Sequence, residues 1–253
     1  NAWGIAFNPF GPVWVNNAET GTSTLYDGDG NIVPLVVKVP APDGSTGAPT
    51  GIVYNGSQGF VVASGSLSAP SRFIFATEQG SLAAWAPTVD KYNAYTVANR
   101  SATGAIYKGL AMSGGGNGGL LYATDFHNNK IDVYDSEFKL VTAAGGFTDS
   151  HIPAGFAPFG IQAINGDLYV TYAMQDADRE DDVQGSGLGY VDVYDPNGYL
   201  IRRLISRGHL NAPWGMAMAP AGFGWMSNRL LVANFGDGTI NAYDPATGWF
   251  MGS

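Results

Sequence analysis

A residue leading into a glycine and then an apolar run recurs five times along this chain: Trp3-Gly4-Ile5-Ala6-Phe7, Thr50-Gly51-Ile52-Val53-Tyr54, Lys108-Gly109-Leu110-Ala111-Met112, Phe159-Gly160-Ile161-Gln162-Ala163 and Trp214-Gly215-Met216-Ala217-Met218. The glycines stand 47, 58, 51 and 55 residues apart. A period of about fifty, filled with short apolar runs and turn residues, is the pattern of a β-propeller with one repeat per blade. The expected fold is therefore all-β, a single propeller domain over residues 1–253 with five visible blades near 1–40, 48–99, 105–144, 157–206 and 212–253.

Each repeat divides into four strands, A to D from the axis outward. In the third blade these are predicted at 109–112, 120–124, 130–134 and 138–142, and in the first at 4–7, 13–16, 23–26 and 35–39. The fourth and fifth blades follow suit, with B and C strands at 168–172 and 190–194, and at 230–234 and 239–243. The second blade is the least regular, because residues 57–71 intrude between its A strand and a B strand at 73–77, and 60–63 reads as an extra strand. Antiparallel order sends the B-to-C loops and the D-to-A connections to one face. That face collects residues 16–22, 78–80, 125–129, 173–188 and 234–238, and loops on a rigid scaffold are where binding residues concentrate. The opposite face carries turns such as Asp27-Gly28-Asp29-Gly30, Asp195-Pro196-Asn197-Gly198 and Asp244-Pro245-Ala246-Thr247-Gly248, whose residue types already have a structural explanation.

Composition narrows the chemistry. With 45% hydrophobic and 13% charged residues the chain can bury a large core, and its 36 glycines suit turns. A net charge of −9 argues against nucleic acid and anionic membrane surfaces as partners. Absence of cysteine excludes disulfides, thiolate metal sites and thiol nucleophiles, and is compatible with export. No signal peptide, apolar span or lipidation motif is present, so membrane insertion is not expected. The sequence starts inside the first repeat, and Asn1 is read as not the natural start. It also lacks a Gly-x-Ser-x-Gly elbow, a Walker loop, a dinucleotide fingerprint and a zinc-protease motif, and the glycine run 114–119 reads as an A-to-B hairpin loop.

Several long phrases resemble a known group of proteins: Asn1-Ala2-Trp3-Gly4-Ile5-Ala6-Phe7, Leu121-Tyr122-Ala123-Thr124-Asp125-Phe126-His127, Pro153-Ala154-Gly155-Phe156-Ala157-Pro158-Phe159, and Leu210-Asn211-Ala212-Pro213-Trp214-Gly215 with Asn234-Phe235-Gly236-Asp237-Gly238. They are similar to an uncharacterised family of bacterial extracytoplasmic propellers, some with a PEP-CTERM-type sorting tail. More distantly the repeat resembles NHL-type propellers and the SMP-30/gluconolactonase architecture. The resemblance implies a secreted or periplasmic protein and a six-bladed ring, one blade more than is visible here. It brings no established activity.

Polar residues recur at the ends of the B strands: Asn16, Glu78, Asp125 and Asn234, with His127 and Asp237 just beyond. Asp and Asn at such positions usually cap loop backbone. Converging carboxylate and amide oxygens also suit a hard cation, Ca²⁺ or another divalent metal. In the lactonase-like propellers that the architecture resembles, such a metal activates water or polarises a carbonyl. On that reading Asn16, Glu78, Asp125 and Asn234 are axial ligands and His127 or Asp237 the base. His151 and His209 stand ahead of their blades' A strands, without helical or hairpin ligand spacing. The run from Asp176 to Asp182 places five carboxylates in seven residues. It reads either as a solvated loop or as a weak calcium loop held by Asp176, Asp178 and Asp182. Aromatic residues entering the A strands, Trp3, Tyr107, Phe159 and Trp214, read with Lys108 and Arg72 either as inter-blade packing or as a ring for a sugar or planar ligand. The sequence thus points first to a scaffold for a small-molecule, carbohydrate or protein partner. A metal-dependent lactonase-like hydrolase or lyase, and a self-associating structural subunit, are the alternatives.

Overall fold

The computed structural model describes residues 1–114 and 119–253. Five antiparallel four-stranded sheets form the propeller blades. The first is β1 (Ala2–Phe7), β2 (Val13–Asn17), β3 (Thr22–Tyr26) and β4 (Ile32–Lys38). The second starts with β5 (Pro49–Tyr54), is interrupted by the hairpin β6 (Val61–Ser64) and β7 (Leu67–Pro70), and resumes with β8 (Phe73–Thr77), β9 (Ser81–Trp85) and β10 (Tyr95–Asn99). The third holds β11 (Tyr107–Ser113), β12 (Leu120–Asp125), β13 (Lys130–Tyr134) and β14 (Leu140–Val141). β15 (Phe156–Ile164), β16 (Asp167–Met174), β17 (Gly189–Tyr194) and β18 (Leu200–Ser206) make the fourth; β19 (Pro213–Met218), β20 (Leu230–Asn234), β21 (Ile240–Tyr243) and β22 (Phe250–Gly252) make the fifth. No α-helix occurs among the described residues, and no helix is long and apolar enough to cross a membrane. The chain resolves into two compact units, residues 1–123 with 132–141 and residues 124–131 with 142–253.

The recurring glycine has a steric cause. A Cβ on Gly4 would lie 2.1 Å from the Thr50 carbonyl oxygen of the second blade, and one on Gly51 would lie 2.4 Å from the Leu110 nitrogen of the third. In the second unit a Cβ on Gly160 would lie 2.0 Å from the Trp214 carbonyl oxygen. First strands of neighbouring blades thus approach main chain to main chain where only hydrogen fits. Polar side chains stitch the same seam. The Asn16 amide donates to the Thr50 and Gly51 carbonyls at 3.0 and 3.2 Å, and the Thr50 hydroxyl to Tyr107 O at 2.7 Å. Within the second unit, Thr124 and Thr171 donate to Phe159 O and Trp214 O at 2.8 and 3.4 Å.

Between the C and D strands, Asp27, Asp90, Asp135, Asp195 and Asp244 each accept main-chain N–H bonds from the residues that follow, so these turns are closed by their own aspartates. In the third blade this shortens strand D from the expected 138–142 to Leu140–Val141, because Phe138 closes the Asp135 turn at φ 60°. The intrusion in the second blade is a full hairpin rather than one strand. It is anchored by buried Phe60, whose N–H donates to Ser136 O and whose ring meets Phe138 edge-on at 5.2 Å. The loop expected at 114–119 has residues 115–118 outside the described residues.

Candidate functional site

On the loop side of the first unit, three residues singled out from the sequence meet. Lys108 is only 2% exposed, and its ammonium donates to Glu78 Oε1 at 2.5 Å while lying 5.2 Å from the centroid of the Trp3 ring. Paired and capped in this way, the buried cation is compensated by a charge and an aromatic face. Asn16 is buried and committed to the seam; its Oδ1 has no hydrogen-bond partner among the described residues. Replacing Lys108 with Met is expected to cost about 2–3 kcal/mol in urea unfolding, because Glu78 keeps its charge without its counter-ion. The double change Lys108→Met with Glu78→Gln is expected to recover much of that loss, and equal losses in single and double variants would show that the pair contributes nothing.

In the second unit the chosen residues have separate local tasks. Asp125 is buried and accepts from the Asn128 main chain and amide at 3.3 and 2.8 Å, with the Lys130 ammonium at 3.6 Å. The Asn234 amide donates to His209 O and Thr239 Oγ1, and its oxygen accepts the Asn211 N–H. Asp237 closes the following turn: the Thr239 hydroxyl and the Asn211 amide hold its carboxylate down to about 2. An acid so fully ionised is a weak base near neutrality. His127 is half-buried, with a buried Nδ1 that has no hydrogen-bond partner among the described residues. His151 leans on Asp149, and His209 stacks on Phe250 at 3.7 Å. Phe159 is fully buried between Phe126 and Phe235, and Trp214 packs against the same cluster.

The acidic loop closes on its own main chain. Asp176 Oδ1 accepts the Glu180 N–H at 2.9 Å, the Asp176 N–H bonds to Asp181 O, and Gln175 bridges to Asp182, with Asp178 exposed. Among the described residues no three His, Asp or Glu side chains gather where they could hold a metal ion. Glu78 and Asp125 each have a lysine for a counter-ion. This donor set does not fit a divalent cation.

A strongly perturbed carboxylic acid lies apart from these. Asp192 is buried in the fourth blade, and desolvation together with the nearby Asp149 charge pushes it up to about 7 against the pull of Arg203. The Tyr194 hydroxyl donates to it at 3.1 Å and meets the Tyr172 hydroxyl at 2.7 Å. Arg203 bridges Asp192 and Asp149. Burial works to raise Asp149, and the His151 N–H and the Arg203 guanidinium outweigh it, leaving Asp149 below the usual range.

A concave site lies where sequence reasoning saw only turns. Between the first two blades, at the end that carries their A-to-B and C-to-D connections, is a cleft of about 580 Å³. The register brings its residues there: Trp14 pairs with Ala6 and Leu25, Leu25 with Val33, and Phe73 with Tyr54 and Trp85, all near strand ends on that side. Trp14 stacks on Phe73 at 4.1 Å and leans on Trp85 at 4.8 Å, forming a buried floor. Half-buried Val33, Leu35 and Tyr54 make walls, while Phe10, 90% exposed, and Arg72 stand at the rim. The signal was in the sequence, in aromatic residues clustered at strand ends of the first two repeats.

No family model matches the chain. An uncharacterised protein of Acanthamoeba polyphaga mimivirus is 36% identical over 251 residues, covering 96% of this chain and 61% of that protein. A second from the same virus is 33% identical over 251 residues, covering 96% and 66%. The chain therefore spans about three fifths to two thirds of these relatives, and they are viral where the sequence resemblance pointed to bacteria. Among solved structures, one of a nidogen/laminin complex superposes with a TM-score of 0.59 at 14% identity, over 99% of this chain and 78% of that one. The catalytically inactive virginiamycin B lyase from Staphylococcus aureus with quinupristin gives 0.55 at 12%, over 99% and 69%. A protein of unknown function from Bacteroides thetaiotaomicron gives 0.60 at 11%, over 99% and 57%. At these identities the likeness is one of fold, that of the β-propeller.

Proposed function

We propose that this propeller is a binding scaffold and that the cleft between its first two blades is where it takes a ligand. The observation that carries the reading is the cleft itself: an open concavity with a buried aromatic floor, apolar walls and few polar groups, of the size that small-molecule sites have. Its floor is rigid, because Trp14, Phe73 and Trp85 pack on one another and the Trp85 indole N–H is held by Lys91 O at 3.3 Å. A preorganised floor spares the ligand the cost of ordering it. Phe10 at the rim is an aromatic side chain left almost wholly in water, which a bound ligand would cover.

Neighbouring folds include nidogen solved in complex with laminin and a catalytically inactive virginiamycin B lyase solved with quinupristin, so the architecture is found both in a protein complex and in a lyase. Binding is favoured here because the polar residues of the loop side are spent on the inter-blade seam, on ion pairs and on turns. The test is a screen of aromatic fragments followed through the indole N–H signals of Trp14 and Trp85 in ¹H–¹⁵N spectra. Saturable shifts at these two signals, lost when Val33→Trp fills the cleft, are the expected result. Hits that shift only other regions, or that survive Val33→Trp unchanged, would overturn it.

A further inference from the structure

We infer that the ligand of this cleft is a planar apolar acid, its ring system against the aromatic floor and its carboxylate on Arg72. The inference rests on the reading of the cleft as the binding site and adds the charge and shape of what enters. Arg72 is the single charged residue among the described residues that line the cleft, and no carboxylate lines it. Its position is fixed by the main chain on both sides: its N–H donates to Trp85 O at 2.7 Å and its carbonyl accepts the Asn55 N–H at 2.9 Å, at the start of β8. Its side chain is exposed and has no carboxylate within ion-pair distance among the described residues.

Lys38, Lys91, Arg179, Arg202 and Arg207 share this lack of an ion pair among the described residues, and what sets Arg72 apart from them is its place in the cleft lining. The chain carries 21 acidic residues against 12 basic ones, and Arg100, Lys108, Lys130, Lys139, Arg203 and Arg229 each lie beside a carboxylate. A guanidinium kept clear of acids beside an apolar concavity offers a two-pronged donor to a carboxylate that the cleft does not itself supply. Asn8 adds an amide at the same rim; its Oδ1 already accepts the Phe10 N–H at 3.0 Å, which leaves the NH₂ as a second donor. Half-buried Tyr54 and exposed Phe10 give planar surfaces for a ring. A neutral sugar would need several fixed hydroxyl partners, and the walls formed by Val33, Leu35 and Pro12 offer none.

The test titrates the whole chain with 2-naphthoate and with its neutral isostere 2-naphthamide, read by calorimetry and by the Trp14 and Trp85 indole signals. The carboxylate is expected to bind about tenfold more tightly than the amide. Arg72→Gln is expected to bring the two to equal affinity, and Arg72→Lys to recover part of the difference. Arg72 is exposed, so these variants fold, and an unchanged thermal midpoint verifies it. If both probes bind equally in the parent and Val33→Trp blocks both, the acid preference is wrong and the cleft reading stands. If neither binds, or if Val33→Trp blocks neither, both fail. Saturation by methyl α-glucoside with no response to 2-naphthoate would also overturn the inference while keeping the cleft.

Discussion

Alanine at Gly160 is expected to lower stability by about 3 kcal/mol in urea unfolding, whereas alanine at Gly215, the same position of the next repeat, is expected to be neutral or to stabilise slightly. The two glycines differ in what faces them. A Cβ on Gly160 would sit 2.0 Å from the Trp214 carbonyl oxygen and 2.8 Å from Thr171 Oγ1, and both belong to the seam between the fourth and fifth blades. Neither atom is the far end of a flexible side chain, so accommodation means moving one first strand away from its neighbour. That would also break the Thr171 hydrogen bonds to the Gly160 N–H and Trp214 O. A Cβ on Gly215 meets only Ala233 Cβ at 3.7 Å, ordinary contact. Neither glycine has a positive φ, so alanine adds no backbone strain at either and the comparison isolates the steric effect. Equal losses at both positions would mean that the glycines serve strand flexibility and not the close approach of blades.

This steric demand is why the fold was legible in the sequence. Main-chain contact between first strands admits only glycine at Gly4, Gly51 and Gly160, so the requirement prints itself in the first, second and fourth repeats, with apolar residues following wherever the strand enters the core. The turns were legible for a similar reason, since an aspartate that caps its own turn acts locally and needs no neighbour. The tasks of the B-strand ends were not legible. Asn16 and Asp125 stand where recurrence placed them, yet an amide that clamps a neighbouring carbonyl and one that ligates an ion look identical in a sequence. Only the partner atoms distinguish them, Thr50 O and Gly51 O for Asn16, Asn128 and Lys130 for Asp125. Phe159 and Trp214, offered as ligand platforms, are drawn into a cluster with Phe126 that their neighbours cover. The cleft escaped for the opposite reason. Its floor joins Trp14 of one repeat to Phe73 and Trp85 of the next, about sixty to seventy positions away, and each reads singly as core.

The second large effect is on the pH dependence of stability, and it comes from Asp192. Desolvation, with the Asp149 charge added, raises its folded pKa to about 7 from the ordinary carboxyl value of 3.8. Between those values the folded chain keeps a proton that the unfolded chain has released, so stability is greatest at the acid end of this window and falls as pH rises toward 7. A rise of about three units corresponds to at most ~4 kcal/mol across the window. Asp149 acts in the other direction and elsewhere: its lowered pKa contributes stability that is present above about 4 and lost on further acidification. The two together place the optimum near pH 4–5. Thermal midpoints measured from pH 4 to pH 8 are therefore expected to decline across the range in the parent chain. Asp192→Asn removes the titrating group while leaving Arg203 its ion pair with Asp149 and Tyr194 an amide oxygen to donate to, so its profile over the same range is expected to be nearly flat. At pH 8 the variant should equal or exceed the parent, because an ionised carboxylate no longer has to be kept out of water beside a second one. A parent profile that rises between pH 4 and 7 would show that Asp192 is ionised in the fold and that Arg203 serves both carboxylates, and a variant that follows the parent's decline would place the titrating group elsewhere.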